Sequence, residues 1–210
     1  MDRIVTRWGL GLALGAAMLA SLLGGSARAI AQVGMPGTEA VTPDPSLCRV
    51  DGRTVDGLRA IFAAATPAAT DDVSPSIVVP VGRPADATTA AGIVATVHEA
   101  VACLNAGDLL RFLGLLTDGA IVSAFPWLAD QLAGADVPAE LQTPFAVPVD
   151  QRQTLLAVAG VSRLADGRVS AVIATVDPAS DAPGADALFL IFTLRGDRWL
   201  IDEIIDFSGD

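Results

Sequence analysis

The sequence predicts an α+β fold, with helices covering one face of an antiparallel sheet. Three observations predict it. Up to about residue 134, apolar residues recur at helical spacing. In the last third the pattern becomes long apolar and alternating runs, TLLAVAGVSRL, VSAVIATV, ALFLIFTLR and RWLIDEIIDF. Turn signals separate them, Ala165-Asp166-Gly167-Arg168 after the first and Gly196-Asp197 before the last. Helices first and a strand meander afterwards give segregated layers rather than alternating βαβ units.

The chain opens with MDRIVTRWGLGLALGAAMLASLLGGSARAIAQ. Arg3 and Arg7 form a basic start, and Gly9 to Leu23 is an uncharged apolar run. Ala27-Arg28-Ala29 is a small-residue cleavage site, with Ala29-Ile30-Ala31 as a second. This is the layout of a secretory signal peptide over residues 1–29. The run is short and rich in Gly and Ala for a membrane anchor. The expectation is a secreted or extracytoplasmic protein with no membrane attachment after cleavage.

The formal net charge is −11. Cleavage after Ala29 removes three arginines and one aspartate, which leaves −13. There is no lysine, and the arginines are scattered singly. Such a surface repels phosphates and anionic headgroups, so no nucleic-acid partner is expected.

Residues 30–87 read as an extension. Its lead-in, QVGMPGTEAVTPDPSL, carries Pro, Gly and Thr without period. A short helix at about 54–65 places Leu58, Ile61, Phe62 and Ala65 on one face. A linker with four prolines follows over 66–87, in which Ile77-Val78-Val79 is read as an edge segment. Cys48 and Cys103 are the two cysteines of the chain. Outside the cytoplasm an even pair reads as a disulfide. Two inert buried thiols, or one reactive thiol, are the alternatives. No basic residue adjoins Cys103 to favour a thiolate.

The main domain spans 88–210. Thr88 or Thr89 is the expected cap of a helix running to about Ala106, with Gly107 as its stop. Ile93, Val97, Ala100, Val101 and Leu104 share its apolar face, with His98 and Asn105 on one margin. Asp108 caps a second helix, Leu109 to Leu116. AIVSAFP is expected as a short strand, and PWLADQLAG as a helix entered through Pro126. Residues 135–150 read as a proline-broken loop.

LNAGDLLRFLGLLTDGAIV resembles the first helical hairpin of the NTF2-like superfamily, which includes SnoaL-like cyclases and ketosteroid isomerases. GDRWLIDEI resembles the last strands of that fold, and the likeness runs from about Thr88 to Phe207. It implies a cone, with N-terminal helices packed on a curved antiparallel sheet. It also implies where catalytic groups of the steroid isomerases would lie. The position of their tyrosine is Ala100 and that of their aspartate is Ala124, and this chain contains no tyrosine. Abstraction of a proton beside a carbonyl needs a base and an oxyanion donor. Steroid isomerase activity is therefore not expected.

Remaining chemistry centres on few residues. His98 is the single histidine. One histidine and two distant cysteines do not make a zinc set. Asp177, Asp181 and Asp186 lack the spacing of a calcium loop. No GxSxG elbow occurs. No metal and no cofactor is expected. On the final strand Trp199, Ile201, Glu203, Ile205 and Phe207 alternate onto one face, which makes Glu203 an acid–base candidate beside His98. Val97, Val101, Phe125, Trp127, Trp199 and Glu203 are the candidate lining of a ligand pocket. The functional expectation is a non-enzymatic module that binds a small apolar ligand or a protein partner. The partner alternatives include a homodimer through the sheet. A SnoaL-like isomerase or hydrolase is the second expectation.

Overall fold

The computed structural model of the chain describes residues 40–65, 79–134, 137–179 and 185–206. The leader over 1–29, the linker stretch with Ile77 and Val78, Asp181 and Phe207 lie outside the described residues. Helices α1 (Val55–Ala64), α2 (Ala87–Asn105), α3 (Leu109–Gly114), α4 (Asp118–Ala124), α5 (Trp127–Ala133) and α6 (Ala139–Gln142) precede the four long strands. Those are β2 (Thr154–Arg163), β3 (Val169–Val176), β4 (Asp186–Arg195) and β5 (Arg198–Asp206). A two-residue β1, Arg83–Pro84, completes a sheet of order β1-β2-β3-β4-β5 with every neighbouring pair antiparallel. The chain is α+β.

Local chemistry explains where the elements begin. Asp86, rather than either threonine, caps α2: its carboxylate accepts from the Thr89 backbone N–H and from the Thr89 hydroxyl, each at 2.8 Å. A carboxylate there also faces the positive end of the helix dipole. The Thr89 backbone bond first, then its hydroxyl and Arg163, hold the Asp86 carboxyl down at about 2. Gly107 ends the following turn with φ +62°, and a Cβ there would lie 1.9 Å from the Phe145 carbonyl oxygen. Asp108 then caps α3 through the Arg111 N–H at 3.0 Å.

One expected strand is corrected. AIVSAFP is not a strand; Ala120–Ala124 belongs to α4. The apolar run fits either geometry, and the Thr117 hydroxyl decides it by accepting the Ala120 N–H at 3.2 Å. Among the described residues Arg83–Pro84 forms an edge segment, and a proline suits an edge because it has no N–H to donate; Ile77 and Val78 lie outside the described residues. The loop 135–150 also holds α6 and the start of a short 3₁₀ turn, Val149–Gln151.

One hydrophobic cluster joins all layers. Ile93, Val97 and Ala100 of α2 meet Leu155, Val158, Ala171, Ile173, Leu190, Phe192 and Ile201 of the sheet. Cys48, Val50 and Leu58 of the extension belong to the same cluster. Each such side chain contributes about 1.5–3 kcal/mol by leaving water. α2 is long and apolar enough to cross a membrane by length and composition; its inner face is instead the centre of this core. A smaller cluster, Leu164, Phe189 and Ile191 with Ile205 packed on it, lies on the other face of the sheet.

The strands are not regular. The pairing of β2 with β3 slips between Leu155 and Ala157 and again between Ala159 and Ser162. That of β4 with β5 slips between Ile191 and Phe192. Each slip is a bulge that bends its strand and exchanges the faces of the residues beyond it. In β5 the extra residue is Asp202, since Ile191 pairs with Glu203 while Phe192 pairs with Ile201. Neighbours on β4 point to opposite faces. Ile201 therefore joins the helix-side core, and Glu203 lies on the opposite face with Ile191. The expected single row Trp199, Ile201, Glu203, Ile205 is broken at Asp202.

Candidate functional site

The outer surface of α2 carries a stripe that the inner pattern does not account for. Ala91, Val94, Ala95, His98 and Glu99 recur at three- and four-residue steps and so share one helical face. They line a concavity of about 540 Å³ whose other wall is Leu47 and Arg49. That wall is firmly held. Asp44 caps the 3₁₀ turn Pro45–Leu47 by accepting the Ser46 N–H at 2.8 Å, and this bond lowers the Asp44 carboxyl below its ordinary value. Cys48 and Cys103 form a disulfide between the wall and α2. The Arg49 backbone N–H donates to Glu99 Oε1 at 3.1 Å, and Arg111 Nη1 donates to the Cys48 carbonyl at 2.9 Å. Glu99 Oε2 accepts from Arg198 at 3.2 Å, so both its oxygens are engaged.

Arg49 differs. Its Nε donates to the Ser46 carbonyl at 3.3 Å, and its two Nη groups have no partner among the described residues. His98 has none there either, and it is half-buried at the groove.

A second concavity, of about 390 Å³, lies at the start of α4 and is lined by Arg53, Thr117, Asp118, Gly119, Arg195, Leu200 and Asp202. Most of its charge is internally matched. Arg53 pairs with Asp118 at 2.9 Å and donates to the Leu116 carbonyl at 2.8 Å. Asp202 accepts from the Thr117 hydroxyl and from Arg168, each at 3.0 Å.

Glu203 is held by the same Arg168, in contact with its Nη1. Arg168 also donates from Nε to Asp166 at 2.7 Å. One guanidinium thus gathers three carboxylates beside the β2–β3 turn. The Asp166 carboxyl is lowered, first by the Arg168 side chain and then by its backbone N–H. The Arg168 guanidinium is raised further above its ordinary value, first by Glu203.

Of the remaining residues named from the sequence, Val97, Phe125, Trp127 and Trp199 lie in or against the main core cluster. Val97 and Val101 are buried on α2. Phe125 packs edge-on between Phe112 and Trp127, with ring centroids 6.0 and 6.3 Å away. Trp199 lies against Gly92, where a Cβ would come within 2.8 Å of the indole. Neither concavity includes these residues or Glu203. His98 and Glu203 do not share a site: one lines the outside of α2, the other the far face of the sheet. Among the described residues no group of three His, Cys, Asp or Glu is placed to hold a metal ion.

Sequence reasoning missed the groove because it read the outward residues of α2 only as the margin of a core helix. The signal was present: Ala91, Val94 and Ala95 are apolar residues outside the core stripe, and Val94 is only partly buried. Asn105, read beside His98, is buried instead. Its amide donates to the Pro43 and Gln153 carbonyls at 3.1 and 3.0 Å and accepts the Gln153 N–H at 2.8 Å.

Comparison with family models, with curated proteins and with solved structures returns no match to this chain.

Proposed function

We propose that this chain is an exported, non-enzymatic module of NTF2-like architecture that binds a small apolar ligand in the groove along α2. The observation that carries the reading is the apolar floor of that groove, Ala91, Val94 and Ala95, facing a wall stapled to the same helix by Cys48–Cys103. The groove is open to solvent rather than enclosed, so a ligand bound there keeps one side in water. Between α2 and the sheet, buried side chains of both layers pack into one cluster.

The geometry favours binding over catalysis. A general base and an oxyanion donor must converge on one substrate, whereas Glu203 and His98 face different surfaces. The two positions at which the resemblance implies steroid-isomerase groups are Ala100, buried in the core, and Ala124, at the end of α4. Export is supported by the leader-like start and by the disulfide, a bond typical of oxidising compartments.

The single histidine makes the test simple, because the imidazole signals of an untagged protein come from His98 alone. A ten-carbon alcohol titrated into the mature protein is expected to shift them, and Ala95→Trp, at an exposed position, to abolish the shift. Absence of any shift, or a shift that survives Ala95→Trp, refutes the groove. Mass spectrometry of exported protein is expected to find a start near Ile30 or Gln32; an intact leader refutes export.

A further inference from the structure

The groove has a polar end whose chemistry selects among apolar ligands. The carboxylate lining it, Glu99, has one oxygen on the Arg49 backbone N–H and the other on Arg198. Among the described residues, the Nη edge of Arg49 and the imidazole of His98 have no partner. Arg49 is exposed and makes no salt bridge among the described residues. Of the four arginines that make no salt bridge among the described residues, Arg49, Arg83, Arg152 and Arg195, Arg49 is the one that lines this groove, over its apolar floor. A guanidinium edge presents two N–H groups in the fork that matches a carboxylate.

We infer that the ligand of the groove is an amphipathic carboxylate. Its apolar chain lies along Ala91, Val94 and Ala95 against Leu47, and its carboxylate lies on the Nη edge of Arg49 beside His98. This rests on the binding reading above and adds the chemical class. The fit follows from how the wall is built. Cys48 is joined to α2 through Cys103, and the next residue is Arg49, tied by its backbone N–H to Glu99. The backbone of the cation is therefore fixed relative to the floor, which lowers the ordering cost of binding.

The test uses three ten-carbon probes, decanoate, decanol and decyltrimethylammonium, followed by the His98 signals and by calorimetry. Decanoate is expected to bind at least tenfold more tightly than decanol, and the ammonium probe more weakly still. Arg49→Gln is expected to weaken decanoate about tenfold, as loss of a charge-assisted bond does, and to leave decanol unchanged. Equal affinity for decanoate and decanol, or decanoate binding indifferent to Arg49→Gln, overturns the carboxylate assignment and leaves the apolar groove standing. Failure of all three probes to shift His98, or decanoate binding that survives Ala95→Trp, overturns both.

Discussion

At the scale of single residues, the polar groups with most structural consequence are Asn105 and Asp86. Asn105 is 1% exposed and ties α2 to two segments far away in sequence, at Pro43 and Gln153. Asn105→Ala would strand a buried N–H and two carbonyls, at a cost of about 3 kcal/mol; urea unfolding should show it as a lowered midpoint with unchanged slope. Asp86 gives a prediction with a sign. Its carboxyl is held at about 2, below the 3.8 of a free aspartate, so its cap is at full strength above about pH 4 and is lost as pH falls towards 2. Asp86→Ala should therefore melt earlier than the parent at pH 6, and the gap should close near pH 2. Equal melting at pH 6 would refute the cap. Both roles are only half legible in sequence. Asn-Ala-Gly-Asp announces a helix stop and a cap, but the long-range bonds of the asparagine depend on the folded positions of Pro43 and Gln153.

At the scale of elements, the bulge at Asp202 decides what β5 presents. With the extra residue, Glu203 reaches Arg168, and Ile201 and Ile204 face the core. Deleting Asp202 would restore a regular ladder in which Ile201 still pairs with Phe192 and Glu203 with Ile191, so both would keep their faces. Ile201→Glu, which places a carboxylate without a partner on the helix side beside Phe192, should cost more than about 3 kcal/mol. Asp202→Ala, which keeps the bulge and loses only part-exposed bonds, should cost about 1 kcal/mol. Thermal unfolding of the pair checks this, and similar melting of the two would refute the placement of Ile201 on the helix side. The strands, their turns and the long α2 could all be read from periodicity. The bulge could not, because a period-two pattern assigns faces on the assumption that no residue is extra. The same limit hid α4: a short apolar run has no period of its own, and Thr117 settles its geometry only once the chain has turned.

At the scale of the whole molecule, the extension is a structural part of the domain. Val41 pairs with Leu155, Arg53 bonds the Leu113 and Leu116 carbonyls, and Leu58 is wholly buried. Sequence gave a short amphipathic helix that had to dock and a cysteine to pin it, but not the surface on which it docks. A chain beginning at Val79 loses the disulfide, worth about 4 kcal/mol for a loop of this length, and uncovers Ala102, Cys103 and Leu113. It is expected to show no cooperative thermal transition, whereas the chain from residue 30 should unfold in one step. A cooperative melt of the shorter chain would show that the extension is dispensable. The segments at Val41 and Arg83–Pro84 on β2, and Leu116 on β5, also occupy part of each outer edge of the sheet, which limits strand pairing between molecules.

The burial of the disulfide also sets an order of events in the life of the chain. Cys103 is wholly inaccessible and Cys48 nearly so. Exchange requires a thiolate to reach a sulfur, so neither an oxidant nor a reductant acts on this bond while the domain is closed. Oxidation has to come before α2 finishes docking, and afterwards the domain protects the bond that helped close it. A folded molecule therefore keeps a record of the redox conditions under which it folded, and later changes in its surroundings leave that record intact until the domain opens.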